Sequence, residues 1–270
     1  MEKIENLIQL NDLLVPYLKG RHITNNYTMP TAYIPLMDEG RLFYIDGEGL
    51  FFLVDMDNYY RFYYHLNDAE KTFSISSDKP LVAEVAFQKG KIPPEIVSGC
   101  LLKSGFTQKV KRVRMKADND EFLVGEQSLT LTFIRVEEAG REQHGEVVEF
   151  LQENFHPLTG FLSSKEDVRI SIERGEVLCA YEGMGKDLVG VLHMGINKRN
   201  TDLLHIAVAK HARKRGIGET LLLKWKDTAE KRGVENYIIW VGDDNLAART
   251  LYEKVGFKED GYQSLTLLHR

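Results

Sequence analysis

The feature that most constrains this sequence is an apolar strand, a basic glycine-containing turn, an amphipathic helix and a second apolar strand in direct succession. "DLLHIAVA" (202–209) and "NYIIWV" (236–241) have the composition of buried strands. "KHARKRGIG" (210–218) follows the first strand and leads into the helix. The apolar stripe of that helix consists of Ile217, Leu221, Trp225 and Ala229. Strands that alternate with helices in this way predict an α/β fold on a mixed sheet.

Hydrophobic periodicity extends this interpretation over the second half of the chain. The predicted elements are strands at 129–138, 177–183, 188–196 and 262–269, and helices at 141–155, 163–173 and 245–254. In the first half, a helix is predicted over 2–18 and an aromatic-rich meander of three strands over 41–66. The polar segment 115–128 suits a linker, and we therefore expect one domain in residues 1–125 and another in 129–270.

Composition narrows the class of protein. The 270 residues are 43% hydrophobic and 28% charged, with a formal net charge of -5, which is typical of a globular protein. No apolar run reaches the roughly 18 to 20 residues of a membrane span, and the amino terminus lacks signal-peptide character. We expect a soluble, cytoplasmic protein that binds neither membrane nor nucleic acid. Cys100 and Cys179 lie too far apart in sequence for a metal cluster, and we expect both to be reduced packing residues and no metal to be bound.

The basic turn has two interpretations. A strand end, glycines and a helix start together present unpaired N–H groups and the positive end of a helix dipole, which suits a phosphate or pyrophosphate. The alternative is a solvated basic surface. The dinucleotide fingerprint and the P-loop do not fit, because "RKRGIG" lacks the third glycine of the first and the Gly-Lys-Ser/Thr ending of the second.

A second motif favours the anion site. "RKRGIG" (213–218) is followed, after the helix and the strand, by "NLAARTLYEKVGF" (245–257). Residues 129–270 therefore resemble the GCN5-related N-acetyltransferase (GNAT) family. The acetyl-CoA loop of that family reads Arg/Gln-x-x-Gly-x-Gly/Ala, and a later helix often reads Asn-x-x-Ala-x-x-Leu-Tyr-x-x-x-Gly-Phe. The resemblance implies the acyl-CoA N-acyltransferase fold, with acetyl-CoA as co-substrate.

The resemblance also implies roles for individual residues. The pyrophosphate of coenzyme A would lie on Arg213, Lys214, Arg215, Gly216, Ile217 and Gly218, with Glu219 and Thr220 in the first helical turn. The pantetheine arm would pair with Ile206, Ala207 and Val208, and the Val208 N–H would be an oxyanion donor. Asn245 would contact the pantetheine side, and Tyr252 would be the general acid. Lys210 departs from the family, where a proline is common at this position.

Two of these roles have open alternatives. A phenol can protonate the departing CoA thiolate, and the motif position of Tyr252 favours this role; the alternative is a packing residue of the core. The general base is less defined. His205 is on the strand beside the thioester, the other candidates are His193, Glu182 and Asp243, and water can take the proton instead.

The first half carries a trace of the same pattern. Lys103-Ser104-Gly105-Phe106 matches Lys254-Val255-Gly256-Phe257, and each precedes a predicted last strand. This suggests two tandem GNAT-like domains, with chance similarity as the alternative. Leu101 stands where Tyr252 stands, and "NDAEKTFSISSDK" (67–79) replaces the basic turn and its helix. We therefore expect the first domain to be a degenerate or accessory domain that binds no coenzyme A.

The favoured function is an N-acetyltransferase that acts on a primary amine of a small molecule or a peptide. One alternative is a non-catalytic CoA-binding or protein-interaction module on the same scaffold. A weaker one is nucleic-acid binding by the basic turn. Neither motif specifies an oligomeric state or the acceptor.

Overall fold

The structure is a computed structural model that describes residues 1–18, 22–91, 94–122, 134–183, 185 and 187–270. The chain forms two compact units. Unit 1 consists of Met1–Lys111 and Tyr262–Arg270, and unit 2 consists of Arg112–Gly261.

The strands are β1 (Glu2–Lys3), β2 (Ile23–Thr24), β3 (Leu42–Asp46), β4 (Leu50–Asp55), β5 (Tyr60–Leu66), β6 (Leu81–Gln88), β7 (Thr107–Asp118), β8 (Ile134–Glu138), β9 (Val177–Glu182), β10 (Leu188–Asn197), β11 (Asn200–Val208), β12 (Asn236–Gly242) and β13 (Lys258–His269). The α-helices are α1 (Leu7–Leu14), α2 (Ile34–Asp38), α3 (Pro94–Lys103), α4 (His144–Asn154), α5 (Lys165–Glu173), α6 (Ile217–Glu230) and α7 (Leu246–Lys254). Short 3₁₀ turns cover Val15–Tyr17, Pro30–Tyr33, Arg141–Gln143 and Lys210–Ala212.

Unit 1 is a mixed sheet in the order β1-β3-β4-β5-β6-β13. The β5–β6 pair is parallel and the other pairs are antiparallel. Its closing strand comes from the carboxyl-terminal end of the chain, because residues 262–269 pair with β6. The aromatic side chains predicted from the meander fill the core, with Phe62 and Tyr64 fully buried.

The parallel pair of unit 1 opens after two residue pairs, Tyr60 with Leu81 and Arg61 with Val82. The side-chain amide of Asn25 fills the opening. Its Oδ1 accepts the Tyr64 N–H at 2.9 Å, and its Nδ2 donates to the Phe62 carbonyl at 3.0 Å and to the Glu84 carbonyl at 3.1 Å. β2, which precedes Asn25, pairs with the end of β5. Asn25 therefore provides hydrogen-bond partners for main-chain groups of β5 and β6 at the point where the two strands diverge.

Unit 2 is a mixed sheet in the order β7-β12-β11-β10-β9-β8, in which the β11–β12 pair is parallel. Its closing strand comes from the first half of the sequence, since residues 112–118 pair antiparallel with β12. One face of the sheet packs on α6 and α7, and the other packs on α4 and α5. The predicted stripe of α6 is confirmed, because Ile217, Leu221, Trp225 and Ala229 are all buried.

Three sequence predictions differ from the structure. The helix predicted over 2–18 is confined to α1, because the Asn6 side chain caps its start and Pro16 opens a 3₁₀ turn after it. Residues 115–118 of the predicted linker belong to β7. Residues 262–270, placed with the second domain by sequence, lie in unit 1 because of their pairing with β6. The first five residues of the strand predicted over 129–138 fall outside the described residues.

Candidate active site

Helix α6 begins without a side-chain cap. Its N-cap is Gly216, and its first helical hydrogen bond runs from the Thr220 N–H to the Gly216 carbonyl at 3.0 Å. By contrast, the side chains of Asn6, Ser164 and Asn245 cap α1, α5 and α7. Among the described residues the first-turn amides of α6 therefore have no helical or side-chain acceptor, an arrangement that together with the helix dipole suits an anion.

The turn before α6 has an unusual backbone. Lys214 has a φ of +63° and Gly216 a φ of +79°, both in the left-handed region. These two residues flank Arg215 directly before α6. Left-handed residues in a turn can direct neighbouring N–H groups to one point, as in anion-binding nests. Glycine adopts this conformation freely, whereas lysine does so at a cost of about 1 kcal/mol. Backbone strain of this kind is common at functional sites.

The cationic side chains of the turn are exposed and partly engaged. Arg215 makes an ion pair with Glu182 at 2.6 Å, and the hydrogen bond from Arg215 lowers the pKa of the Glu182 carboxyl. The Arg213 Nε donates to the Val208 carbonyl at 3.0 Å. Arg213 therefore ties the turn to the end of β11.

Gly218 brings three elements together. A Cβ at this position would lie 3.3 Å from Leu251 of α7 and 3.9 Å from Val208 of β11. The start of α6 therefore approaches both the strand end and the helix that carries Tyr252. A side chain larger than that of alanine here, in the first turn of α6, would meet Leu251 and Val208.

β11 and β12 diverge beside this point. Among the described residues their parallel pairing covers only 200–203 with 236–239. The Ala209 N–H donates to Val189 of β10 at 2.9 Å, whereas the Val208 carbonyl accepts from Arg213 and so faces the other edge. Because main-chain groups alternate in direction along a strand, the N–H groups of Ile206 and Val208 face the gap between the two strands.

A β-bulge sets which side chains of β11 face which helices. The register with β10 shifts between His193 and Met194, so that Leu204 is the extra residue. Leu203, before the bulge, packs with the α6 side of the sheet, whereas Ala207, after it, packs with the α4 and α5 side. The bulge therefore turns His205 toward α4 and α5 and keeps Val208 on the α6 side.

Tyr252 lies in the same hydrophobic cluster as Ile217 and Leu221 and is 5% exposed. Burial raises the pKa of its phenol, which is therefore protonated throughout the neutral range. Within the described part of the chain no hydrogen bond involves its hydroxyl. The phenol proton is therefore bound by no acceptor among the described residues.

The other predicted contact residues are engaged locally. The Asn245 Oδ1 accepts the Ala248 N–H at 3.2 Å and so caps α7. Glu219 pairs with Lys254 at 2.7 Å, and the Thr220 Oγ1 donates to the Gly216 carbonyl at 3.2 Å. These bonds fix α7 and the first turn of α6 beside the gap.

The histidines form a buried pair. His193 is 0% exposed and His205 is 4% exposed, and their rings stack with centroids 5.6 Å apart. The His193 Nε2 lies 2.9 Å from the Ser171 Oγ, the two Nδ1 atoms are 3.4 Å apart, and the His205 Nε2 lies 3.2 Å from the Gly160 carbonyl. Burial, together with His205, lowers the pKa of His193 to about 3. Every ring nitrogen of the pair has a protein partner.

The two acidic candidates for the base also have cationic partners. Glu182 pairs with Arg215 as above, and Asp243 pairs with Arg249 at 3.2 Å. In the described residues no group of three or more His, Cys, Asp or Glu side chains is arranged to hold a metal ion. The helices of the described ranges include none that is long and apolar enough to cross a membrane. Cys100 and Cys179 are buried and unbridged, as predicted.

Several features of this region had no signal in the sequence. They are the bulge at Leu204, the divergence of β11 from β12, the Ser171–His193–His205 chain and the left-handed Phe161 beside Gly160. Each depends on register or on contacts between residues distant in sequence.

Residues 141–257 match the acetyltransferase (GNAT) family. An uncharacterized N-acetyltransferase YvbK from Bacillus subtilis (strain 168) is 31% identical over 96 residues. That alignment covers 35% of this chain and 61% of the relative, and so less than two thirds of the relative's length. The resemblance of the second half to the GNAT family, which the two motifs predicted, is therefore confirmed over residues 141–257.

Solved structures extend the similarity over both units. An acetyltransferase of the GNAT family from Colwellia psychrerythraea has a TM-score of 0.55 at 19% identity and covers 100% of this chain and 99% of its own. A GCN5-related N-acetyltransferase from Kribbella flavida has a TM-score of 0.57 at 14% identity, with 88% and 92% covered. A tandem GNAT protein from the clavulanic acid biosynthesis pathway has a TM-score of 0.50 at 13% identity, with 82% and 78% covered. At such identities the likeness shows the fold, and the predicted fold class is confirmed.

Proposed function

We propose that unit 2 transfers the acetyl group of acetyl-CoA to a primary amine of a small molecule or a peptide. The observation that carries this proposal is the approach of the uncapped start of α6 to the end of β11, where main-chain donors face an open gap. Gly218 lies against Val208 at this point. One end of the site suits a pyrophosphate and the other suits an extended amide-containing arm.

In this proposal the cofactor runs from the basic turn into the gap. The first-turn amides of α6, the turn 213–216 and its cationic side chains hold the pyrophosphate, with Glu219 and Thr220 beneath it. Ile206, Ala207 and Val208 flank the pantetheine arm, and the Ile206 and Val208 N–H groups are the available donors. Asn245, whose Oδ1 caps α7, retains its amide donors for the pantetheine side.

The residues suit the chemistry of amine acetylation. The neutral amine nitrogen attacks the thioester carbonyl, the Val208 N–H stabilises the resulting oxyanion, and the C–S bond breaks. Tyr252 donates its proton to the sulfur as charge develops there, and the phenolate is reprotonated from water. Because burial makes this phenol a weak acid, the transfer is favourable only in concert with C–S cleavage.

We assign the proton released by the attacking amine to water. His193 and His205 have no nitrogen without a protein partner, and both Glu182 and Asp243 are paired with arginines. Each of these groups would have to give up a hydrogen bond or an ion pair before it accepted a proton.

We also propose that unit 1 binds no coenzyme A. The Asn25 amide occupies the opening between β5 and β6, and the connection between those strands, residues 67–80, contains no helix. Unit 1 thus lacks both the open gap and the helix terminus found in unit 2. The order of antiparallel and parallel strand pairs in unit 1 supports its interpretation as a degenerate second copy of the fold.

A panel of primary amines tests the function. Spermidine, glucosamine and a peptide with a free amino terminus would each be incubated with acetyl-CoA, and the free thiol would be followed colorimetrically. We expect turnover of at least one amine and binding of acetyl-CoA in calorimetry. Binding without turnover of any amine or water would favour the non-catalytic CoA-binding module, and absence of binding would contradict the proposal.

A further inference from the structure

The buried chain of Ser171, His193, His205 and Gly160 has only one arrangement of protons when both histidines are neutral. A carbonyl oxygen can only accept, so the His205 Nε2 carries the hydrogen that Gly160 receives. The His205 Nδ1 is then an acceptor and takes the hydrogen of the His193 Nδ1. The His193 Nε2 in turn accepts from the Ser171 hydroxyl. The chain therefore runs in one direction, from α5 through β10 and β11 to the α4–α5 loop.

The far end of this chain is a tightly constrained loop, residues 155–164. A Cβ on Gly160 would lie 2.7 Å from the His156 carbonyl, so only glycine fits there. The next residue, Phe161, has a φ of +52°, which is rare for an aromatic residue. Arg112 stacks on the Phe161 ring with its guanidinium carbon 4.7 Å from the centroid, and it also donates to the Thr159 carbonyl. The strain at Phe161 is held by these contacts.

This loop lies on the α4 and α5 side of the sheet, where His205 packs on Phe155 and bonds to Gly160. α6 and α7 cover the other face of the sheet at the gap, where Gly218, Leu251 and Val208 are in contact. His205, which holds Gly160, immediately precedes the strand segment whose N–H groups face the gap. In the proposed function, an amine that attacks a carbonyl held in the gap would therefore approach on the side of the sheet that carries the α4–α5 loop.

We propose that His193 and His205 are positioning residues, which fix the α4–α5 loop beside β11 and so set the affinity for the amine acceptor. That the molecule beside the loop is an amine acceptor rests on the proposed function. The fixed loop itself follows from contacts within unit 2. Loss of the chain would weaken acceptor binding and leave acetyl-CoA binding intact, because the hydrogen bonds that define the chain lead from α5 to the α4–α5 loop and not to the start of α6.

The decisive pair of variants is His205→Phe and His205→Gln. Phenylalanine retains a ring against Phe155, whose centroid is 5.1 Å from that of His205, but has no donor for Gly160. Glutamine places an N–H close to the position of the histidine Nε2 and so restores that bond. Ser171→Ala breaks the chain at its remote end. Tyr181→Phe is the control, because it removes a buried hydroxyl on the same face that takes no part in the Ser171–His193–His205 chain.

For the amine of the panel with the highest kcat/KM, we expect His205→Phe to raise KM about 10-fold, with kcat and the acetyl-CoA Kd within about 2-fold of parental. His205→Gln should recover most of the loss, Ser171→Ala should raise KM about 2-fold to 3-fold, and Tyr181→Phe should have no effect. A kcat reduced 100-fold by both His205 variants would instead assign His205 as the general base and overturn the proposal.

Hydrogen exchange of the α4–α5 loop provides a readout that needs no acceptor. We expect the amides of residues 158–162 to lose protection about 10-fold or more in His205→Phe and to regain it in His205→Gln. If no amine is turned over by the parental protein, the proposed function fails while this result still supports the positioning role. Unchanged loop protection in His205→Phe would contradict the positioning role whatever the catalytic result.

Discussion

The two parallel strand pairs of the molecule open in the same way and are completed differently. In unit 1, β5 leaves β6 after Arg61, and the Asn25 amide bridges the two strands through three hydrogen bonds. In unit 2, β11 leaves β12 after Leu203, and no side chain bridges the opening among the described residues. An asparagine side chain and a pantetheine arm both present an amide. The comparison indicates that an opened parallel pair needs amide partners, which the chain supplies in one unit and a cofactor would supply in the other.

The sheets of the two units have the same order of antiparallel and parallel strand pairs. In each unit three antiparallel pairs lead to the parallel pair, and an antiparallel closing strand follows. The closing strand of each unit comes from the other half of the sequence, β13 in unit 1 and β7 in unit 2. The units therefore differ chiefly in the connection after the opened strand, which is a helix-free segment in unit 1 and the basic turn with α6 in unit 2.

The largest expected effect comes from filling the space in front of α6. Gly218→Glu should weaken acetyl-CoA binding at least 100-fold, because its carboxylate would lie against the uncapped amides and repel the pyrophosphate. Gly218→Ala is the matched control and should bind within a few-fold of parental, since its Cβ meets only the flexible ends of Leu251 and Val208. Calorimetry measures both, and circular dichroism checks the fold. Undiminished affinity in folded Gly218→Glu would remove the anion site from unit 2.

Tyr252→Phe tests whether the open gap supports chemistry as well as binding. The ring and its packing remain, but the proton for the leaving thiolate is lost. We expect kcat to fall roughly 100-fold or more, with the acetyl-CoA Kd unchanged. Steady-state kinetics on an accepted amine, paired with calorimetry, would show it. Turnover at the parental rate would make Tyr252 a packing residue and leave the thiolate to depart as the anion or to be protonated by water.

Asn25→Ala tests the filled opening of unit 1. It removes three hydrogen bonds from a buried site and should reduce the free energy of unfolding by about 3 kcal/mol, at about 1 kcal/mol for each bond. Asn154→Ala is the control, because it removes one side-chain bond, to Phe150, and should cost about 1 kcal/mol. Urea unfolding followed by circular dichroism measures both. Equal costs for the two variants would show that Asn25 does not complete the strand pair.

The smallest expected effect is on the pH dependence of stability, which can be assigned to each unit separately. Burial lowers the pKa of His65 in unit 1 and of His193 in unit 2 to about 3, from 6.5. Between these values the unfolded chain binds more protons, so stability falls with falling pH, by about 1.4 kcal/mol per pH unit for each histidine.

Both tryptophans, Trp225 and Trp240, lie in unit 2, and their fluorescence therefore follows that unit. His193→Gln should flatten the dependence of its urea midpoint on pH between about 6.5 and 4. His65→Gln, a change in the other unit, should leave the slope reported by the tryptophans closer to parental. A slope unaffected by His193→Gln would show that His193 is protonated in the folded state.

The elements that sequence predicted well are those with local signals. The stripe of α6, the two family motifs and the aromatic meander each follow from periodicity or spacing within one segment. The position of α7 was equally accessible, because Asn245 is a side-chain cap.

What the sequence did not reveal depends on partners far apart in the chain. Asn25 is one of several polar residues in its segment, and nothing local marks it as the bridge between β5 and β6. The exchange of closing strands pairs segments that are distant in sequence, as in the pairing of Leu81 with His269 and of Asp118 with Asn236. The histidine chain requires the register of β10 and β11 together with two helices. Such arrangements are set by packing, which no short motif encodes.

The most direct test of the contrast between the two openings is the stoichiometry of coenzyme A binding. Calorimetric titration of the parental protein should give one site per chain. Asn25→Ala should also give one, because unit 1 still lacks the uncapped helix, and Gly218→Glu should give none. Two sites in the parental protein, or a site that survives in folded Gly218→Glu, would contradict the account.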